Sequence, residues 1–443
     1  MTNSLSRRTQ IVLIGIVFVV TFSNATLAQG PATDLDLTQM SSSLEADGVR
    51  IESLIEIAEA ENPDIHAARA SWQAAQKRIL QSWALPDPMA GMDVMGEMTE
   101  TRVGPQEDRL MVSQELPFPL KLWERRKVAK KTSEAAKQQY VAVRRNVLNE
   151  LRRAFYSLYE TDASLEVIHE IHTLLKKFEG VAQARYSNRQ GSQRDVAKAQ
   201  AEVSMTLEQL FVLEQNRETL VALINSILNR SALAGLGKAV QAAQPTLEAT
   251  LPQLLTYASQ NREGIKEMEA MVEKSRHNKN LAKLSWIPDM DVGFTYTWVG
   301  SGMTMSAEDG KDSWMFPLKI NVPVWQNRLI PALQEAQQEM EAARAKLLSS
   351  QNETFFEVKD AYVRFTTAAK ISALYETAVI PQAKLALSSD QAGYESGETD
   401  FLNLLDSERV YLNAKLAYVK IYAETLRSHS DLIRATGLDL TED

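Results

Sequence analysis

Two short stretches of the chain alternate strictly between apolar and polar positions. Within residues 291–299, Val292, Phe294, Tyr296 and Trp298 fall on one side and Gly293, Thr295 and Thr297 on the other. Within residues 314–322, Trp314, Phe316, Leu318, Ile320 and Val322 share a side, and Lys319 and Asn321 share the opposite one. A period of two predicts strands, and about nine residues is the length a tilted strand needs to cross a bilayer. A transmembrane barrel has this apolar, aromatic outer side and polar inner side. A soluble half-buried hairpin alternates the same way, so the pattern alone leaves both readings open. A weaker alternation (Met92, Val94 and Met98 against Asp93 and Glu97) predicts a strand over 89–98, paired with a second over 109–116. The Gly104-Pro105 pair is expected in the connection between them. Pro317 lies inside a predicted strand, where its missing donor breaks a ladder bond, and a β-bulge is expected there.

The rest of the chain has a helical period. No glycine occurs between Gly104 and Gly180 or between Gly310 and Gly393, and no proline from Leu120 to Arg185. Those 66 residues would run about 100 Å as one helix. Tyr140, Val143, Val147, Leu151, Ala154 and Leu158 step by three and four along it, a coiled-coil-like seam. A helix of this length must lie along other long helices. Pro331 suits a first helical turn, and Pro381 should kink or end a later helix.

These elements occur twice, which bears on the architecture before any motif does. Leu54 to Ala58 resembles Leu254 to Ala258, and Ser82-Trp-Ala-Leu-Pro-Asp-Pro-Met89 resembles Ser285-Trp-Ile-Pro-Asp-Met290. Pro117 matches Pro323, Ala154-Phe155 matches Ala361-Tyr362, and Tyr186 matches Tyr394. The predicted organisation is a first repeat over 49–240, with its hairpin at 89–116, and a second over 249–437, with its hairpin at 290–322. Before them, Arg7 and Arg8, the apolar run Ile11 to Phe22 and small residues up to Ala28 predict a signal peptide over 1–28. A polar, flexible lead-in over 29–48 follows.

Composition narrows the function. Among 443 residues there is no cysteine, hence no disulfide framework, thiolate metal site or lipidated N-terminal Cys. The formal charge is −9, and without Arg7 and Arg8 it is 46 basic against 57 acidic residues, which argues against nucleic acid as a partner. Four membrane strands cannot close a barrel, and an open sheet in lipid leaves two edges of unsatisfied backbone at several kcal/mol per group. Closure therefore has to occur between chains, with eight strands from two copies or twelve from three.

The ordered series resembles the TolC-type outer membrane efflux proteins across residues 50–437. Its carriers are the duplicated units, Leu85-Pro-Asp-Pro88, Gln114-Glu-Leu-Pro-Phe-Pro119 with Lys121, and two Tyr-centred helix tips, 185–200 and 394–407. The heavy-metal efflux members resemble it most. The resemblance implies a mainly α fold with a small transmembrane β part: four strands per chain closing as a trimeric 12-stranded barrel over a long periplasmic α-helical coiled-coil tunnel. It implies a homotrimer in the outer membrane, in contact with lipid and docked to a periplasmic adaptor (membrane fusion) protein and an inner-membrane pump of the resistance-nodulation-division type. No cofactor and no catalysis are implied. Lipid-facing positions would be Phe294, Tyr296, Trp298, Trp314 and Phe316, and the adaptor would dock at tips marked by Tyr186, Gly191, Tyr394 and Gly397. Asp195, Asp400 and Asp406 would lie at the channel mouth, where three-fold symmetry turns one carboxylate into a ring that attracts cations. The chain departs from the family pattern at Arg189, where glycine is usual three residues after the tyrosine, so a differently shaped first turn is expected. It departs again at Asn403, where an acid is common.

Other candidate chemistry is sparse. His169 and His172 share a helix face without a third ligand, a spacing that fits a solvated face better than a metal site. Met89, Met92, Met95 and Met98 fit lipid contact and lumen lining, with soft-metal contact the alternative. Lys121, Arg125, Arg126, Lys127, Lys130 and Lys131 fit a solvated or inter-subunit face. No nucleophile elbow, zincin motif or phosphate loop is present. Against the exit duct stands a soluble periplasmic coiled-coil adaptor or scaffold, with its aromatic rows buried against a partner.

Overall fold

The computed structural model describes residues 48–438 apart from Thr304 and Ser306. The expected signal peptide and most of the lead-in lie outside the described residues. The described residues form one compact unit.

Each half opens with two helices broken at one extended residue. Helix α1, Ile51–Glu61, is followed by α2, Pro63–Gln81; between them Asn62 sits at φ −67°, ψ 123°. Its side chain accepts from the Asp64 and Ile65 amides at 3.0 and 3.1 Å and donates to the Ile227 carbonyl at 2.8 Å. One residue thus caps a helix and fastens it to a distant helix end. After the first hairpin come α3, Pro119–Ser187, and α4, Gln193–Ile227. The second half repeats the break: α5, Leu251–Asn261, meets α6, Glu263–Leu284, across Arg262 at φ −60°, ψ 122°. Here a guanidinium replaces the amide, donating to the Arg434 carbonyl, to Glu263 at 2.9 Å and to Glu357 at 3.1 Å.

Helix α3 is 69 residues without interruption, about 100 Å at 1.5 Å per residue. The expected seam is buried at Val147, Leu151, Ala154 and Leu158, while Tyr140, further up, stacks on Trp72 at 5.7 Å between ring centroids. Helix α3 packs against α2 and α6 in its first part and α4 in its last. Helix α7, Gln326–Leu374, starts ahead of Pro331, which therefore lies inside the helix and not at its first turn. A π-turn, Tyr375–Val379, then leads into α8, Ile380–Ser396. Pro381 lacks the N–H for a regular α bond, and the extra residue of a π-turn absorbs that loss without ending the rod. Helix α9, Phe401–Thr436, is the last helix among the described residues. No helix among the described residues is long and apolar enough to cross a membrane.

At one end of the rods is an antiparallel sheet: β1, Met89–Thr101; β2, Gly104–Leu116; β3, Met290–Val299; and a last strand in two pieces, β4, Ser313–Met315, and β5, Leu318–Ile320. The order is β1-β2-β3 with β4 and β5 both on β3. The first hairpin is longer than expected, and Gly104-Pro105 begin β2 and pair with β1. The expected bulge at Pro317 is absent. Tyr296 pairs with Trp314 and Val292 with Leu318 in one unbroken register. Pro317 instead stands opposite Gly293, whose amide donates to the Pro317 carbonyl at 2.9 Å. A Cβ on Gly293 would meet the proline ring at 3.0 Å, so glycine makes the room and the ladder loses only the bond proline cannot donate. Register shifts occur elsewhere, between Val94 and Thr99 and between Gln106 and Arg109.

Candidate functional site

The sheet is inverted with respect to a soluble one. Paired residues of an antiparallel ladder point to the same side. On one side lie Ala90, Val112 and Phe294, then Met92, Leu110, Tyr296 and Trp314, then Val292 with Leu318 and Met290 with Ile320. This apolar side faces outward: Trp314 is 64% exposed and Phe316 70%, while Thr295 and Thr297 on the polar side are 6% and 3% exposed. The aromatic residues pack against one another, Phe316 with Phe294 and with Trp314 at 5.3 and 5.4 Å, and Tyr296 with Trp298 at 5.3 Å. All five expected lipid-facing residues therefore belong to one aromatic patch. Among the described residues, the strands at the two edges, β1 and the β4/β5 pair, each have a neighbour on one side only.

The polar side carries Asp93 beside Arg109 at 3.8 Å and places Lys319 opposite Asp291. Met89, Met111 and Met315 line a cleft of about 400 Å³ on this side together with Arg109 and Lys319. Met92 is on the outer side, and the register shift after Val94 breaks the strict alternation expected for Met95 and Met98.

Sheet and helices meet at a joint that sequence reasoning placed on a solvated or inter-subunit face. Lys121 is buried, its Nζ 2.8 Å from Asp289 Oδ2 and 2.7 Å from the Ile287 carbonyl. The Phe118 amide donates to Asp289 Oδ1 at 2.8 Å, and the Asp289 amide donates to Asn321 Oδ1 at 2.6 Å. The start of α3, the start of β3 and the end of β5 are thus tied together. One turn along, Glu124 Oε2 is 2.7 Å from His277 Nδ1. Desolvation raises the Glu124 pKa, but His277, Asn280 and Lys127 outweigh it and hold the carboxyl below its ordinary value. The rest of the basic cluster is partly paired: Lys131 reaches Glu134 at 2.6 Å, and Arg126 lies over the Trp83 ring at 5.5 Å.

At the other end, α3, α4, α8 and α9 form a tip with its own core, which includes Phe178, Ala182, Val196, Ala199, Leu387, Tyr394, Phe401 and Leu404. Arg185 binds it across the bundle, lying 4.7 Å from the centroid of the Tyr394 ring and donating to the Tyr394 carbonyl. Tyr394 is buried and Tyr186 exposed, so the two matched tyrosines have different surroundings. Ser192 caps α4 in a capping box with Asp195, and Asp400 is the N-cap residue of α9. Asp406 is exposed on the first turns of α9. The structure thus gathers Tyr186, Gly191, Asp195, Tyr394, Gly397, Asp400 and Asp406 at one end of the rods. The expected difference in the first turn is not one of backbone bend. Arg189 at φ 59° takes the left-handed conformation that Gly397 takes at 87°. Gly397→Val should cost the tip about 1–2 kcal/mol through left-handed strain, read as faster amide exchange over 390–405 than in the wild type.

His172 Nδ1 is 2.8 Å from the Thr206 hydroxyl, and burial with nearby Lys176 and His169 lowers its pKa. Among the described residues no group of three or more His, Cys, Asp or Glu side chains is arranged to hold a metal ion.

The model of the family described as "Outer membrane efflux protein" matches residues 54–230 and 254–438. The cobalt-zinc-cadmium resistance protein CzcC of Cupriavidus metallidurans is 20% identical over 398 residues, 87% of this chain and 90% of that protein. The solvent efflux pump outer membrane protein SrpC of Pseudomonas putida is 24% identical over 286 residues, 64% of this chain and 60% of its own. Among solved structures, CusC superposes with a TM-score of 0.76 at 16% identity, covering 87% of this chain and 92% of that one. The outer membrane protein VceC of Vibrio cholerae superposes with 0.73 at 19% identity, covering 87% and 96%.

Proposed function

Since this chain belongs to the outer membrane efflux protein family, we infer that it is the outer membrane channel of a tripartite efflux system, a passive duct fed by an inner-membrane pump through a periplasmic adaptor. One observation carries the reading: the apolar side of the sheet is turned outward, with Trp314 64% and Phe316 70% exposed, while the opposite side carries Thr295, Thr297, Asp93, Arg109 and Lys319. Such a sheet needs an apolar cover on its outer side, and lipid supplies one. Its two open edges then require neighbours, because unsatisfied backbone groups in hydrocarbon cost several kcal/mol each. Three copies, each contributing β1, β2, β3 and the β4/β5 strand, close a ring of twelve. The long helices continue the tube into the periplasm, and transport along it needs no catalytic group. The test is fractionation: the protein should sediment with outer membranes and run as a trimer on mild gels. Extraction by salt as a monomer refutes the duct and favours a scaffold.

The cargo we propose is heavy-metal cations, supported by the match to CzcC along most of both chains. The mouth would contribute by charge. Asp406 is exposed near the start of α9, and three copies form a ring of carboxylates. Asp406→Ala channels in planar bilayers should lose cation preference, with the reversal potential in a salt gradient moving toward zero. An unchanged reversal potential removes Asp406 from the mouth.

A further inference from the structure

The tip core contains one carboxyl group that the duct as described does not use. Helix α9 turns Phe401, Leu404, Leu405, Tyr411 and Leu412 into that core. Glu408 continues the same stripe, is 1% exposed, and its Oε1 has no hydrogen-bond partner. Two charged groups act on it, Glu202 of α4 and its own neighbour Arg409. Arg409 does not neutralise it, because that guanidinium donates to Glu202. The core residues that α3 and α8 contribute to the tip include Phe178, Ala182 and Leu387, and the α8 carboxylate beside this turn, Asp390, accepts from the Ser407 hydroxyl. A buried charge without a counter-ion is costly, whereas a protonated carboxyl can stay there cheaply.

We propose that Glu408 is a proton-operated latch of the helical tip: protonated, it lets α3, α4, α8 and α9 close around it, and ionised, it loosens them. Resting on the duct reading, this makes the periplasmic mouth easier to open as the pH rises. The direction follows from linkage. Burial first, and Glu202 second, push Glu408 from an ordinary 4.5 up to about 7, against the pull of Arg409. A group with a raised folded pKa contributes stability that is complete below the unfolded value and is lost as the pH climbs through the folded one. The window therefore runs from about pH 4.5 to about pH 7. Between pH 6 and pH 8, the closed tip should weaken about tenfold relative to its opened form.

The experiment compares purified wild-type protein with Glu408→Gln, a neutral group of the same shape, at each pH from 6 to 8. Amide exchange is followed over 175–205 and 395–415, and single-channel open probability in planar bilayers. The wild type should lose about tenfold in tip protection relative to the variant over that range, with a matching rise in open probability. Equal pH dependence in the two proteins, or none in either, overturns the latch. If Glu408→Gln assembles poorly, Glu408→Met, neutral and similar in volume, makes the same comparison. A pH-dependent difference in exchange from a protein that conducts at no pH would keep the latch and refute the duct.

Discussion

Phe316→Arg should abolish assembly in the outer membrane, while Ser313→Arg, three residues earlier in the same strand, should leave most of it intact. Phe316 is mid-strand, 70% exposed and packed on Phe294 and Trp314. Placing Arg at the bilayer midplane on the lipid side of a barrel costs about 2–4 kcal/mol, and three copies raise that to roughly 6–12 kcal/mol per trimer. This is comparable with the whole stability of an ordinary domain, about 5–15 kcal/mol. Ser313 pairs with Thr297 and points to the polar side, where a guanidinium meets water. The measurement is the fraction of each protein recovered as trimer from outer membranes after equal synthesis. A soluble scaffold predicts no trimer in that fraction from either protein. Equal recovery of both variants would refute the lipid assignment.

That contrast between neighbouring positions shows where the sequence was informative. A period of two fixed which residues of 291–299 share a side, and the ladder agrees from Asp291 to Thr297. Alternation does not distinguish a side turned toward lipid from one turned toward a protein core, because both select Phe, Trp and Leu. The burial of Thr295 and Thr297 beneath an exposed aromatic side makes that distinction. Long helices were legible from missing glycine and proline, yet Pro331 was read too locally. A rod packed along its whole length retains a proline by starting earlier or by inserting a π-turn. Pro317 failed for the same reason: its compensation is Gly293, on another strand.

Charged residues in the site were the least legible. Lys121 sits among five other basic residues at a helix start, a pattern that reads as solvated. Its partner Asp289 lies 168 positions away. The available signal was the duplicated Pro-Asp, since Pro288-Asp289 repeats Pro86-Asp87, but repetition does not say what an aspartate binds. Glu408 did leave a trace: it steps by three and four with Leu404, Leu405, Tyr411 and Leu412, a charged residue on an apolar stripe. Arg189 left a trace only by position, three residues after Tyr186 as Gly397 is after Tyr394.

Lys121→Ala should be the most damaging single change outside the sheet. The ion pair is largely withdrawn from water, with side-chain exposures of 8% and 16%. Removing one member of a buried pair leaves the other charged and unpaired, at about 3–5 kcal/mol. Asp289 would keep the Phe118 amide but lose the ammonium that pairs with it. Because Asp289 also orders the junction of α6 with β3, and Asn321 beyond β5, the loss should loosen the base of the sheet where the strands must meet those of other copies. Lys121→Met/Asp289→Asn removes the uncompensated charge while keeping most of the volume, and should recover a large part of the stability. The check is a double-mutant cycle on urea unfolding of the protein in lipid vesicles, which isolates the coupling between the two positions. Strong coupling, with the double variant more stable than Lys121→Ala, identifies the pair as the joint between barrel and tunnel. Additive effects would mean that each residue is held by its backbone partners alone, and that sheet and helices are joined by packing and not by charge.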